Sequence, residues 1–284
     1  MSRAAAAALP SPTGKTAGDE SFPVASFLLP TAVRRQVMAF YAFARAADDV
    51  ADAPDLTPEA KLARLDELEE ALRGRRSGPD GDTAAAFRSA IDADDLLIDH
   101  AVQLLHAFRR DAVTDHCRDW ADLMTYCRFS AAPVGRFLLD LHGEDPATFA
   151  AGDALCAAHQ ILNHLQDCGA DFKALGRVYL PRDWLLSAGI TNEVFAGDAS
   201  PPELRSVFDM VLDAVDGLID LARPLPSQIR DRRLRLEAAA TIAVAERLSV
   251  LLRVQDPLAR PVKLTPLQYL GAFLSGIARG LKAA

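Results

Sequence analysis

From Thr31 to the C-terminus, apolar residues recur at three- and four-residue intervals, and no stretch alternates apolar with polar. A chain with that pattern buries its apolar surface as packed helices, because a strand would scatter the same residues over two faces. Proline, glycine and acidic breakers cut the pattern into about eight to ten helices. Thr57-Pro58-Glu59 reads as an N-cap followed by proline in the first turn, and "RRSGPDGD" at 75–82 as a loop. Two helices are expected over roughly 83–112 and a longer one from near Arg118, bent or broken at Pro133. Another covers 150–173, followed by the irregular "LGRVYLPRDW"; two long helices and a shorter terminal one run from Pro201 to the end. No internal boundary divides the chain, so residues 19–284 are expected to form one all-α domain, a helical bundle. Residues 1–18, a short alanine run followed by Pro, Gly, Ser and Thr, read as a disordered leader.

Several function classes drop out on composition. A net charge of -8 without a strong basic tract argues against nucleic acid as a partner. Cys117, Cys127, Cys156 and Cys168 lack CxxC spacing and read as packing residues of a reducing compartment, consistent with a cytoplasmic protein. No apolar run is long enough to span a bilayer. No GxGxxG loop suggests a nicotinamide cofactor.

The candidate chemistry lies in two polar seams on otherwise apolar helices. In "FYAFARAADDVAD" at 40–52, Tyr41, Arg45, Asp48 and Asp52 follow steps of four, three and four. In "QILNHLQDCGAD" at 160–171, Gln160, His164, Asp167 and Asp171 repeat those steps, with Asn163 beside His164. Residues four apart share one helix face, so each DxxxD presents two carboxylates in one direction. One such motif alone is usually a solvated face. Two copies on apolar helices predict facing seams, with four carboxylates crowding one cavity and a bound cation offsetting their repulsion. All-oxygen ligands suit Mg²⁺, which keeps water and shares phosphate oxygens. Arg45 and Arg177 are placed to hold the same phosphate. His164 reads as a hydrogen-bonded lining residue, and Asp49 as a neighbour about 100° around the helix from Asp48. His116 and Cys117 read as structural. "FRRD" at 108–111 reads as a surface charge cluster, with a minority reading in which Asp111 lines the cavity.

At these residues the chain resembles the squalene and phytoene synthase family of head-to-head prenyl synthases. The likeness runs through "SFPVASFLLP", "FYAFARAADDVAD", "YCRFSAAPVGRFLLDLHG" and "HQILNHLQDCGADFKALGRVYLP". "NHLQDCGADF", with Gln166 before the aspartate, resembles the bacterial hydroxysqualene synthase branch of hopanoid biosynthesis. The resemblance implies an isoprenoid synthase bundle with a central cavity, Mg²⁺ and a prenyl diphosphate substrate. It implies metal-binding roles for Asp48, Asp52, Asp167 and Asp171. It makes Ser21, Arg45, Arg177 and Tyr179 candidates for diphosphate contact, and Tyr41, Gln160 and Asn163 candidates for the cavity lining, with Tyr41 a catalytic candidate. Arg260 and Lys263 are weaker phosphate candidates. The activity implied is ionisation of presqualene diphosphate and capture of the cation by water, for which Tyr41, Gln160, Asn163 and His164 are candidates to direct the water. The rivals are condensation of prenyl diphosphates to presqualene diphosphate, dehydrosqualene or phytoene, and a non-catalytic helical assembly factor. Neighbouring pathway enzymes are possible partners. In the terminal helix, Leu267, Leu270, Leu274, Ile277 and Leu281 form a stripe read first as core packing and second as peripheral membrane contact.

Overall fold

The computed structural model describes residues 28–75 and 82–283. The 1–18 leader and Ser21 lie outside the described residues. Helices dominate, in the order α1 (Thr31–Asp52), α2 (Pro58–Leu72), α3 (Asp82–Ala90), α4 (Asp95–Asp111), α5 (Trp120–Ser130), α6 (Ala132–Leu141) and α7 (Phe149–Leu175). There follow α8 (Arg182–Ser187), α9 (Pro202–Ala222), α10 (Leu225–Gln228), α11 (Arg232–Val254) and α12 (Pro266–Lys282).

Local chemistry sets the helix ends. Thr57 caps α2 by accepting from the Ala60 amide, with Pro58 behind it. Asp94, Asp119 and Asp231 cap α4, α5 and α11 in the same way. Thr265 and Gln268 form a capping box at the start of α12. Gly176 ends α7 with φ +69°, a conformation glycine adopts without steric cost. The break expected at Pro133 falls at Ala131, between α5 and α6, because proline has no N–H to continue the helical ladder.

One expectation fails in detail. His116–Cys117 (β1) and Val178–Pro181 (β2) pair in parallel, His116 opposite Val178. Both segments are too short for a two-residue alternation to show in sequence, and each is extended only because the other lies beside it.

The 27-residue α7 is the central helix, packed by α5, α6, α9 and α11. Its small residues Gly152, Ala154, Ala157, Ala158 and Gly169 are buried, which lets neighbours approach on several sides. Phe40 of α1 stacks on Phe137 of α6 at 4.3 Å and meets Phe87 of α3 edge-on at 5.4 Å, closing the opposite wall.

The terminal helix corrects the core-packing expectation. α12 turns Phe273, Gly276 and Gly280 inward onto α11, while Leu267, Leu270, Leu274 and Leu281 are exposed and Ile277 is half-buried. A Cβ at Gly276 would lie 2.5 Å from Ala240 Cα, so the backbones touch where the two glycines sit. Close backbone approach decides which face is inside, and an apolar stripe alone does not report it.

Candidate active site

Between α1, α6, α7 and α11 lies a cavity of about 310 Å³, walled largely by apolar side chains such as Phe40, Phe108, Leu138, Leu155, Ile229 and Leu234. The seam of α1 places Tyr41, Arg45 and Asp48 on its lining, and the seam of α7 adds Gln160 and Asn163. Asp52 lies one turn beyond Asp48, and Asp167 and Asp171 one and two turns beyond Asn163 on α7. The cavity is therefore polar towards the aspartate end and largely apolar below, apart from His159, Glu237 and Thr241 on the α7–α11 wall.

The four motif carboxylates lie at the aspartate end of the two seams, two on α1 and two on α7. Of the four, only Asp48 is on the lining. Among the described residues, no three His, Cys, Asp or Glu side chains converge as a self-sufficient metal cage. Each helix carries its own carboxylate pair, because a four-residue spacing groups side chains on one face of a helix.

Arg177 and Tyr179 connect the two seams. Arg177 is buried; its Nη1 donates to Asp52 Oδ1 at 2.5 Å, and its Nη2 to the Asp111 carbonyl at 2.9 Å and the Ala51 carbonyl at 3.2 Å. Lys61 Nζ also donates to the Ala51 carbonyl, at 2.8 Å, so two cations satisfy the negative end of α1. Tyr179 Oη lies 3.5 Å from Arg177 Nη1, and its ring stacks on His164 of α7 at 3.9 Å. Burial holds the His164 imidazole neutral, down to about 3, and Gln160 donates to its Nε2 at 3.2 Å. His164 thus supports the wall and is not on the cavity lining. Arg45 is held over Asp48 at 2.6 Å and Asp49 at 3.0 Å.

Two residues of the site are misplaced or missed by sequence. Asp111 is buried beneath Arg177 and accepts from Tyr126 Oη at 2.7 Å, which overturns the surface reading of "FRRD". Its neighbours Arg109 and Arg110 are also engaged, with Asp66 and Glu69, and with Asp122. Asp111 does not line the cavity either. Tyr126, which does, lies within the family-like "YCRFSAAPVGR", the one signal that could have singled it out. Of three more lining residues, His159 opens the family-like "HQILNHLQDCGADF", whereas Glu237 and Thr241 carry no sequence motif.

The electrostatics record an excess of negative charge. Burial pushes the Asp48 carboxyl up to about 7; the Asp52 charge adds to this, Arg45 opposes it, and Asp111 and Asp49 add further. Burial likewise raises Asp111 to about 6, with Arg177 and the Tyr126 hydrogen bond opposing it and Asp52 adding to it. A site that strains to ionise its carboxylates is suited to a cation. Paired carboxylates with further places open to water and phosphate oxygens match the habit of Mg²⁺.

A profile of the squalene/phytoene synthase family matches residues 15–268. The hydroxysqualene synthase of Rhodopseudomonas palustris is 43% identical over 271 residues, spanning 94% of this chain and 92% of that protein. The hydroxysqualene synthase of Sinorhizobium fredii is 40% identical over 265 residues, spanning 92% and 90%. The crystal structure of squalene synthase from Alicyclobacillus acidocaldarius superimposes with a TM-score of 0.69 at 31% identity, covering 81% of this chain and 86% of that one.

Proposed function

The chain belongs to the squalene/phytoene synthase family, and we propose that it is a Mg²⁺-dependent hydroxysqualene synthase, converting presqualene diphosphate and water to hydroxysqualene and diphosphate. The observation that carries this reading is the two-ended cavity. Its polar end, with Arg45, Asp48, Gln160 and Asn163, suits a diphosphate head, and its apolar depth suits prenyl tails. The 43% and 40% identities to hydroxysqualene synthases support the branch.

In this reading Asp48, Asp52, Asp167 and Asp171 hold the metal. Bound Mg²⁺ supplies offsetting positive charge for the leaving diphosphate. Arg45 contributes guanidinium N–H groups to the same head, while Arg177, fixed by Asp52 and two backbone carbonyls, keeps the end of α1 and Tyr179 in place. Tyr41, Tyr126 and the apolar wall surround the carbon skeleton and keep bulk water from the cation. Ser21 is a further diphosphate candidate by resemblance.

The test is to incubate purified protein and Mg²⁺ with presqualene diphosphate, or with farnesyl diphosphate, in ¹⁸O-water and to identify the products. Labelled hydroxysqualene from presqualene diphosphate is expected, undiverted to squalene by NADPH. Condensation of farnesyl diphosphate with no turnover of presqualene diphosphate would move the protein to the condensing branch. No turnover of either would favour a non-catalytic role.

No helix among the described residues is long and apolar enough to cross a membrane. The same proposal places α12 against anionic lipid on the cytoplasmic side. Its four exposed leucines form a ridge, and residues 257–284 carry Arg260, Lys263, Arg279 and Lys282 with no acidic residue, in a chain of net charge -8. Arg279 is paired with Glu246, so Arg260, Lys263 and Lys282 supply the attraction.

A further inference from the structure

The cavity wall formed by α7 and α11 carries polar side chains where an apolar lining would suffice. His159, Glu237 and Thr241 all line it, below the level of Asn163. His159 lies four residues before Asn163 on α7, about 6 Å along the axis from the diphosphate end. The His159 Nε2–H donates to the Thr241 carbonyl at 3.1 Å, which locks the ring between the two helices. Burial holds this imidazole down to about 4, so it is neutral. With the proton on Nε2, the Nδ1 carries the lone pair. Glu237 is one turn before Thr241 on α11 and therefore shares its face, and Thr241 Oγ1 donates to the Glu237 carbonyl at 2.9 Å. Glu237 is only 7% exposed. Its charge reaches Tyr269 of α12, whose hydroxyl is raised by burial first and by Glu237 second. Placing a carboxylate in an apolar wall is costly and adds nothing to the holding of a prenyl chain.

We propose that Glu237, with His159 and Thr241, forms the water site of the reaction, holding one water against the carbocation and taking its proton. The inference rests on the hydroxysqualene synthase reading above and deepens it. The diphosphate has already left with the electron pair of its carbon–oxygen bond. A lone pair of the held water then forms the new C–O bond to the cationic carbon. One O–H bond of that water breaks, its electron pair stays on oxygen as the alcohol, and the proton passes to the Glu237 carboxylate, which later returns it to solvent. His159 accepts or donates no net proton; its Nδ1 lone pair orients the water. The anionic carboxylate also favours positive charge at this depth of the cavity.

The experiment compares wild type, Glu237→Gln and Glu237→Asp on presqualene diphosphate with Mg²⁺ in ¹⁸O-water, reading diphosphate release and the product distribution separately. In Glu237→Gln the labelled alcohol is expected to fall to about a hundredth of total product, a general-base loss. Diphosphate release should fall by much less, with hydrocarbons formed by proton loss replacing the alcohol. Glu237→Asp should recover part of the alcohol. An unchanged alcohol fraction in Glu237→Gln overturns the proposal, as does a parallel fall of alcohol and diphosphate release in a variant whose circular dichroism and melting are normal. Should Glu237→Gln fail to fold, Glu237→Asp decides: a drop in alcohol fraction of several-fold or more supports the site, and a wild-type fraction overturns it. If wild type itself forms no alcohol, the functional reading fails first, and the water site with it.

Discussion

Replacing Asp48 by Asn should make the metal-free protein more stable while abolishing turnover. Asp48 sits in the folded chain with its carboxyl raised to about 7 from 3.8, by burial, by Asp52 and by Asp111 against the opposing Arg45. A carboxylate raised on folding contributes its stability in full below the unfolded value and loses it as pH climbs through the folded one. Above pH 7 the ionised group therefore weighs on the native state. At 1.36 kcal/mol per pH unit of displacement the full penalty is about 4 kcal/mol. The side chain keeps 30% of its surface accessible, and water screening reduces this to roughly 2 kcal/mol. Asn removes the charge while preserving the shape. For a chain of this size each kcal/mol moves the melting temperature by about 2–4 °C, so Asp48→Asn should melt roughly 4–8 °C higher at pH 8 in EDTA.

The gain should halve near pH ~5.5 and vanish as the pH approaches the unfolded carboxylate value, because the wild-type group is then protonated in both states. Thermal melts at three pH values, with and without Mg²⁺, read all of this. Mg²⁺ binds the ionised form, so it should stabilise wild type more at pH 8 than at 5.5 and stabilise Asp48→Asn less. An Asp48→Asn protein that melts at or below wild type at pH 8 in EDTA would refute the charge-excess argument. Full turnover in that variant would refute the metal role.

Other variants probe the supports of the site. Tyr126→Phe deprives the buried Asp111 of a 2.7 Å hydrogen bond and should cost about 1–3 kcal/mol, read as a lower urea midpoint with unchanged slope; an unmoved midpoint refutes it. Gly276→Ala forces a Cβ into the α11 backbone at Ala239 and Ala240, and thermal melting should show a loss of about 1–3 kcal/mol, whereas a wild-type melt would mean the helices part freely. Leu267→Ser with Leu274→Ser removes the most exposed part of the α12 ridge without touching its inner face, so flotation with anionic liposomes should drop while melting stays constant; equal flotation rules out docking by this face.

The sequence by itself determined the helices, their caps and the two carboxylate seams, because periodicity and capping are read within a few residues of chain. Thr57-Pro58, the interruption at Pro133 and the matching steps of Tyr41–Asp52 and Gln160–Asp171 all lie within that range. What faces each seam is decided by contacts across the chain. Arg177 reaches Asp52 over 125 positions, and that contact makes it a buried clamp on α1. Asp111 looked like the end of a surface charge cluster until Tyr126 and Arg177 closed over it. Likewise α12 shows its leucines to solvent because Gly276 and Gly280 allow the closest backbone approach on the other face. Glu237 and His159 meet one cavity only because α7 and α11 lie side by side, a juxtaposition of helices 57 residues apart from the end of α7 to the start of α11. Local chemistry is written in short spacings; the tertiary fold alone chooses which of those faces meet.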